Sequence, residues 1–585
     1  MLKLVKQLNK KQIIYVFIGI IFIAAQVWLD LKIPDYMSEI TTLIQTKGTT
    51  IKDLYLPGTT MLLCAFGSLM SAVIVGYLIS FVASSFSMNL RNTIFSKVMN
   101  FSMEEVKKFS ASSLITRTTN DVTKVESLLS MGLQVLIKAP ITAAWAIVKI
   151  SSKSWQWSIA TIVAVCILLL LISIIVIFAI PRFKIIQKLL DNLNRITIEG
   201  LKGIRVVKAY NAEEYQENKF YTTNKELTDV HLTTQKIMSI ASPGMYLIMN
   251  GLALSIYFIG AIILNQTEMM NRIGIFSDMI VFSSYAMQVV MSFMMLSIIF
   301  VMYPRASVSA KRILEVLDTA STIENGNIID VEDKGTVEFK NVSFKYPDAE
   351  EYMLKDITFK ANKGDVVAFI GSTGCGKSTL INLIPRFYDA TCGEVLIDGV
   401  NVKDYDLKYL YNKIGYIPQR AVIFNGTIKE NIAYGDNGKK IPNMDKIKAS
   451  AEVAQADEFI NKMENKYDSH IAEGGTNISG GQKQRITIAR AIARDPEIYI
   501  FDDSFSALDY KTDYLLRKKI KEYTKNATLF IVAQRIGTIK NADKIIVLDN
   551  GECVGMGTHS ELLKNCQVYK EIALSQLSKE ELESA

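Results

Sequence analysis

The chain has 585 residues, 49% of them hydrophobic and 21% charged, and is too long for a single domain. Its net charge of +7 is small for that length and fits cytoplasmic loops beside anionic lipid better than a nucleic-acid-binding surface. The six cysteines form no CxxC pair and the three histidines, His231, His470 and His559, lie far apart, so buried or free thiols are expected and a His-built metal site is not.

The long apolar runs lie before about residue 305. Lys3, Lys6, Lys10 and Lys11 precede a run, Ile13–Trp28, that continues through Leu29–Leu31. A secretory signal would end in a short small-residue cleavage site, so a retained helix is expected. Six stretches, 13–31, 60–86, 129–150, 156–180, 240–264 and 276–303, carry the roughly 20 apolar residues that a bilayer crossing needs. Lys and Arg crowd two loops: residues 89–128, with Arg91, Lys97, Lys107, Lys108, Arg117 and Lys124, and residues 181–236, from Arg182 to Lys236. The segment 34–56 has only Lys47 and Lys52. That bias puts both termini and both long loops in the cytoplasm. The loops contain few helix breakers, so the membrane helices should run on well past the bilayer.

Lys138 stands inside the third span, where a central lysine costs about 2.5–3.5 kcal/mol. Either it faces substrate or another helix, or it snorkels from near a helix end. Met287, Met291, Met294 and Met295 of the sixth span either line an adaptable pocket or pack in the core. After Tyr303 comes a charged helical stretch, Ala306–Leu317, then a polar linker. From Gly335 short β-rich runs take over: Val337–Phe339, Val366–Ile370, Ile498–Phe501, Thr528–Val532 and Lys544–Leu548. Helical segments separate most of them, which is an α/β nucleotide-binding layout. The expected division is a six-helix membrane domain over 1–318, a linker over 319–334, an α/β P-loop domain over 335–575 and a tail over 576–585.

Gly371, Ser372, Thr373, Gly374, Cys375, Gly376, Lys377 and Ser378 spell a full P-loop, between the strand Val366–Ile370 and a helical run that opens with Thr379. The glycines let backbone N–H groups face phosphates at a helix N-terminus. Lys377 should reach the β- and γ-phosphates of ATP, and Ser378 should bind Mg²⁺. Ile498–Phe501 is an apolar strand that ends on Asp502, the arrangement that holds Mg²⁺ directly or through water.

Between these motifs, Asn477-Ile478-Ser479-Gly480-Gly481-Gln482 resembles the signature of the ATP-binding cassette family, with Ile478 where leucine is usual. The resemblance covers nearly the whole chain. It implies that Tyr346 stacks on adenine, that Gln419 is the Q-loop residue beside the metal, and that Ser506–Asp509 is the D-loop. It also implies that Ser479, Gly480, Gly481, Gln482 and Asp509 contact nucleotide. Phe424–Ile432 and Ile471–Gly474 look like exporters of the family, with Ala472 departing from the usual glycine. Leu114–Val122 resembles the first coupling helix of such exporters and Gly203–Phe220 the region of the second. No peptidase domain precedes the first helix in this sequence, which fits leader-cleaving peptide exporters less well.

Two departures from the family pattern carry a functional expectation. The family places a water-polarising glutamate after the Walker B aspartate; here it is Asp503, whose carboxylate sits back by roughly 1.5 Å. A misplacement of about 1 Å can cost 100-fold in rate. The family places a switch histidine after the strand Thr528–Val532; here it is Gln534, which cannot carry a positive charge. Together they resemble the degenerate half of heterodimeric exporters, in which each ATP lies between one chain's P-loop and the other chain's signature. The expectation is half of an ATP-driven exporter of drugs, lipids or peptides in a bacterial plasma membrane, with a second homologous chain as partner. A homodimeric exporter with weak ATPase activity and an ATP-gated channel or regulatory subunit remain as alternatives.

Overall fold

The computed structural model describes every residue except 1, 7, 47–49, 152–154, 267, 269–271, 333–334, 436–440 and 577–585. Lys47, parts of the connections between the third and fourth and between the fifth and sixth spans, the end of the linker and nearly all of the tail therefore lie outside the described residues. The chain divides into two compact units. One is Met1–Met99 with Ser110–Thr319, the other Asn100–Phe109 with Ala320–Ala585.

The first unit is helical. Six helices are long and apolar enough to cross a membrane: Lys10–Gln45 (α1), Ile51–Met99 (α2), Ala111–Ser151 (α3), Trp155–Lys202 (α4), Glu213–Gln266 (α5) and Arg272–Asp318 (α6). All run well past their apolar cores, as the shortage of breakers in the loops predicts. The Gln12 side chain reaches back to the backbone N–H of Asn9 at 2.8 Å and closes the first turn of α1. Ala306–Leu317 is no separate element but the last turns of α6. Ile23, Val27, Val75, Trp157, Leu168, Ile256, Phe282 and Tyr285 pack together at the centre. Outward faces stay apolar, with Phe66, Tyr77, Leu170, Ile177 and Phe258 exposed. Apolar surface on this scale suits a hydrocarbon surround and would aggregate in water. The four methionines singled out in the sixth span divide: Met294 packs against the core, Met287 is half-buried, and Met291 and Met295 are exposed.

Of the two readings of Lys138, the structure supports the one that faces another helix: its ammonium lies 3.5 Å from Asp30 of α1. Residues 114–122 are not a short separate helix; they include a π-helical turn, Arg117–Asp121, within the start of α3. The short helix Met103–Phe109 belongs instead to the second unit.

The second unit is α/β. Its strands are Val337–Phe344 (β1), Leu354–Ala361 (β2), Val366–Gly371 (β3), Cys392–Ile397 (β4), Val400–Asn401 (β5), Ile414–Ile417 (β6), Gly426–Thr427 (β7), His470–Ile471 (β8), Ile498–Asp502 (β9), Thr528–Val532 (β10), Lys544–Asp549 (β11) and Glu552–Gly557 (β12). The main sheet runs β12-β11-β3-β10-β9-β6. It is parallel except for β12. β9 and β10 are buried along their whole length, as parallel strands covered on both faces must be. A second sheet, β2-β1-β4-β5, is antiparallel. The P-loop leaves the C-terminal end of β3, and Asp502 ends β9. β10 pairs with both of these strands. That brings the functional loops to one edge of the sheet, where ligands bind in open α/β folds.

Candidate functional site

Gly371 ends β3 where a Cβ would sit 2.1 Å from the Leu548 carbonyl oxygen, so no other residue fits. Gly376 has φ +98° and precedes the helix Lys377–Leu383. A Cβ there would be strained and would meet Leu354 at 2.8 Å. These two constraints fit the tight glycine-rich turn that such a loop needs if its N–H groups are to face a phosphate. Ser372, Thr373 and Gly374 are exposed at its rim, while Cys375, Lys377 and Thr379 are buried. The Lys377 ammonium folds over its own loop and donates to the carbonyls of Gly371 (2.9 Å) and Ser372 (2.7 Å). The Ser378 hydroxyl donates to Asp502 at 2.8 Å.

Asp502 and Asp503 follow one another at the end of β9, and both are buried. Asp503 has φ +46°, which turns its side chain away from the strand's alternation. Burial pushes the Asp502 carboxyl above the usual carboxylate range, and the neighbouring Asp503 adds to this; Ser378 and Tyr416 oppose it. Burial also pushes up Asp503, against the Gln419 hydrogen bond and the charges of Lys377 and Arg535. One oxygen of Asp503, Oδ2, accepts from the Gln534 amide at 3.0 Å and from the Gln419 amide at 3.3 Å. The three residues thus meet at one atom. A general base must reach a proton on the attacking water. Here the carboxylate is short and one of its oxygens is occupied by two amides.

Tyr346 is half-buried, and its hydroxyl lies 3.0 Å from the Thr379 hydroxyl, directly beside the P-loop. Tyr388 meets its ring edge-on. The Lys107 ammonium sits 4.7 Å from the Tyr346 ring centre and 5.2 Å from that of Tyr388, within cation–π range. Glu105 fixes the turn that carries Lys107: it accepts from the backbone N–H of Ser102 at 2.7 Å and of Thr322 at 2.9 Å.

The signature stands apart from this cluster. Ser479 caps the helix Gly480–Arg494 and accepts from the Gln482 backbone at 3.3 Å, while the Gln482 side chain accepts from the Ser479 backbone at 2.9 Å. This reciprocal cap leaves Ser479 and Gly480 exposed, with Gly481 beside the Ala507 carbonyl. No hydrogen bond links Ser479 to the P-loop among the described residues. Asp509 caps the next helix through Thr512 at 3.0 Å and is likewise exposed. The structure thus gathers Tyr346, the P-loop, Asp502, Asp503, Gln419 and Gln534, while Ser479, Gly480 and Asp509 are exposed and Gly481 and Gln482 half-buried.

Sequence reasoning missed two contributors. Lys107 was read only as a loop charge, and nothing local ties it to an aromatic 239 positions away. Gln576 falls in the stretch assigned to the tail, yet it ends the helix Gln567–Gln576. Its side chain accepts from the backbone N–H of Ile536 and donates to the carbonyl of Gln534, both at 2.8 Å, so the last described helix clasps the switch loop.

Residues 16–293 match the family described as ABC transporter transmembrane region, and residues 354–506 that described as ABC transporter. The chain is 36% identical over 517 residues to an uncharacterized ABC transporter ATP-binding protein of Mycobacterium tuberculosis, covering 88% of this chain and 86% of that one. The chain belongs to the ABC transporter family. An uncharacterized ABC transporter ATP-binding protein of Bacillus subtilis is 35% identical over 91% of both chains. The ATP-dependent lipid A-core flippase of Pseudomonas aeruginosa is 31% identical over 81% of this chain and 77% of its own length. The solved structure of a bacterial Atm1-family ABC exporter with ATP bound shares the fold, with a TM-score of 0.82 at 22% identity, over 97% of this chain and all of that one. This ABC transporter chain is therefore a multi-pass membrane half-transporter of exporter architecture, six apolar helices joined to an ATPase domain.

Its oxygen donors fit the Mg²⁺ that accompanies ATP in such domains. Ser378 and Asp502 already place a hydroxyl and a carboxylate within hydrogen-bond reach, the hard donor set that Mg²⁺ takes.

Proposed function

We propose that this ABC transporter chain is the slow-hydrolysing half of a heterodimeric exporter of amphipathic compounds. The observation that carries the reading is the clasp on Asp503 by Gln534 and Gln419. In this reading Lys377 leaves its loop carbonyls for the β- and γ-phosphates, and the N–H groups of residues 371–379 surround them. Ser378 and Asp502, with Gln419 near, hold Mg²⁺, which when bound neutralises charge on the phosphates. Tyr346 lies under the adenine. Asp503 polarises water poorly, so ATP is retained on this chain. Ser479, Gly480, Gly481, Gln482 and Asp509 close on ATP held by the partner chain, where turnover resets the membrane helices. Exposure of Ser479 away from its own P-loop supports that use in trans. An amphipathic cargo suits the apolar faces of the helices and agrees with a relative that is a lipid flippase.

The test is purification of the native complex followed by ATPase assay and ATP-driven flux with a panel of drugs and lipids. A second, similar chain at one-to-one ratio and flux against a gradient support the reading. A single chain type with full ATPase activity refutes the division of labour, and nucleotide-gated flux only down a gradient refutes export.

A further inference from the structure

In the first unit two carboxylates of α1 face two lysines of α3, and the two pairs differ in how far they are satisfied. Asp35 is saturated. It accepts from Lys149 at 2.8 Å and from the Tyr285 hydroxyl at 2.5 Å, with Lys32 at 3.9 Å. The same hydroxyl lies 3.0 Å from the Leu31 carbonyl, so its single hydrogen is shared between the two acceptors. That group reads as a structural tie between α1, α3 and α6.

Asp30 is different. It accepts from the buried Ser68 hydroxyl, but Lys138 lies 3.5 Å away, an ion contact rather than a close hydrogen bond. The side chains of both Lys138 and Asp30 remain about three-tenths exposed. A carboxylate offers about four lone-pair sites, so acceptor capacity is left over. Two further acceptors stand on the same stretch of α1. Gln26 is one helical turn before Asp30, on the same face. It is 6% exposed, and its side-chain oxygen has no hydrogen-bond partner among the described residues. Pro34, four residues after Asp30, lies inside the helix and has no N–H to give to the Asp30 carbonyl. Such acceptors are costly among apolar helices, and an ion pair there is worth no more than a well-packed apolar substitute. Among the described residues the donors at this spot are the Ser68 hydroxyl and the more distant Lys138 ammonium, fewer than its acceptors can take.

We propose that Asp30, its own carbonyl and Gln26 form a docking site for an amphipathic organic cation that carries N–H donors, a primary ammonium on an apolar tail. Lys138 is the resident cation that fills the site between cargoes and is displaced on binding. The inference rests on the export reading and names the cargo class that reading leaves open.

The experiment measures equilibrium binding of labelled decylammonium, without nucleotide, to the purified complex in phosphatidylcholine nanodiscs. Asp30→Asn should weaken binding about tenfold or more, the usual scale for a hydrogen bond to a charged group. Gln26→Leu, which leaves the ion pair intact, should weaken it about fivefold, and Lys138→Met should tighten it about tenfold by removing the competitor. Decyltrimethylammonium, with no N–H, should bind more weakly than decylammonium, and decyl sulfate should not compete. Nanodiscs of phosphatidylethanolamine separate two sources of the same chemistry. Competition there assigns the site to lipid headgroups, and undiminished decylammonium binding assigns it to soluble amphiphiles. Wild-type affinity in both Gln26→Leu and Asp30→Asn, or lost affinity in Lys138→Met, overturns the site; if Asp30→Asn does not fold, Gln26→Leu and Lys138→Met decide. Because binding is read without ATP, its failure leaves the export reading standing. Absence of ATP-driven flux with binding intact sinks export and leaves the site.

Discussion

Gln534 donates to Asp503 at 3.0 Å, on the same carboxylate oxygen that Gln419 reaches at 3.3 Å. Two neutral amides thus bind one short acid. An asparagine at position 503 keeps the shape, and its own oxygen can still accept from both amides. Asp503→Asn should therefore change the ATPase rate of the native complex by less than about tenfold, far short of the roughly 100- to 10,000-fold that a working general base contributes. Steady-state hydrolysis on purified complex checks this, and a larger loss makes Asp503 a true base.

The P-loop was legible because its chemistry is local: eight successive residues shape the anion cradle. The six spans were legible too, since a bilayer crossing leaves a run of fixed length. Helix ends were not, because charged residues such as those from Arg182 to Lys236 continue a helix as readily as a loop. Strand β2 was missed because Leu354–Ala361 alternates buried and exposed positions with lysines between, so no apolar run announces it. β12 carries two glycines in six residues, which argues against a strand. The partner of Lys138 lies 108 positions earlier, and Lys107 meets Tyr346 only through the fold. Pairings of that separation leave no mark in one sequence.

Lys413 ties the two sheets of the second unit together. It is buried and donates to Asp398 at 3.0 Å and to Glu497 at 3.2 Å. Removing the cation strands two carboxylates, one of them fully buried. Lys413→Met should destabilise this unit by about 3–5 kcal/mol. Asp398→Asn on the same background should recover part of the loss by removing one uncompensated charge. Chemical denaturation followed by tyrosine fluorescence reads both, and a loss below about 1 kcal/mol means the network is solvated.

His559 gives the second unit a pH dependence. The ring is buried, and its Nδ1 lies 2.6 Å from the Tyr569 hydroxyl. Burial, with Lys540 adding repulsion, holds its pKa below the ordinary 6.5. The unfolded chain thus takes up a proton at higher pH than the folded one does. The stability His559 provides is complete above about pH 6.5 and is lost as pH falls through the depressed folded value. Thermal unfolding of the full chain between about pH 7.5 and 5 should show this unit weakening, and His559→Asn should flatten that slope. An unchanged slope in the variant assigns the acid sensitivity to other groups.

The sharpest consequence concerns Ser479. Asp503 and Gln534 share a cluster with the P-loop of their own chain, whereas Ser479 is exposed and bonds to the first turn of its own helix. If ATP is held between one chain's P-loop and the other's signature, the two departures weaken one composite site and leave the second dependent on this chain's Ser479. Ser479→Arg should then abolish most ATP turnover, about 100-fold or more, although every residue around this chain's own P-loop is untouched. The scale is that of losing a preorganised donor to the reacting phosphate. The substitution also removes a helix cap, worth about 1 kcal/mol. Thermal unfolding therefore accompanies the assay, and Ser479→Asn, which keeps a cap, should unfold like the wild type. The reverse experiment closes the argument. Asp503→Glu with Gln534→His rebuilds the usual base and switch, yet should raise turnover only modestly if the partner's signature, which serves this site, is itself altered. Near-normal hydrolysis in Ser479→Arg refutes the trans geometry. A large gain in the double variant refutes the idea that the partner's signature is also degraded.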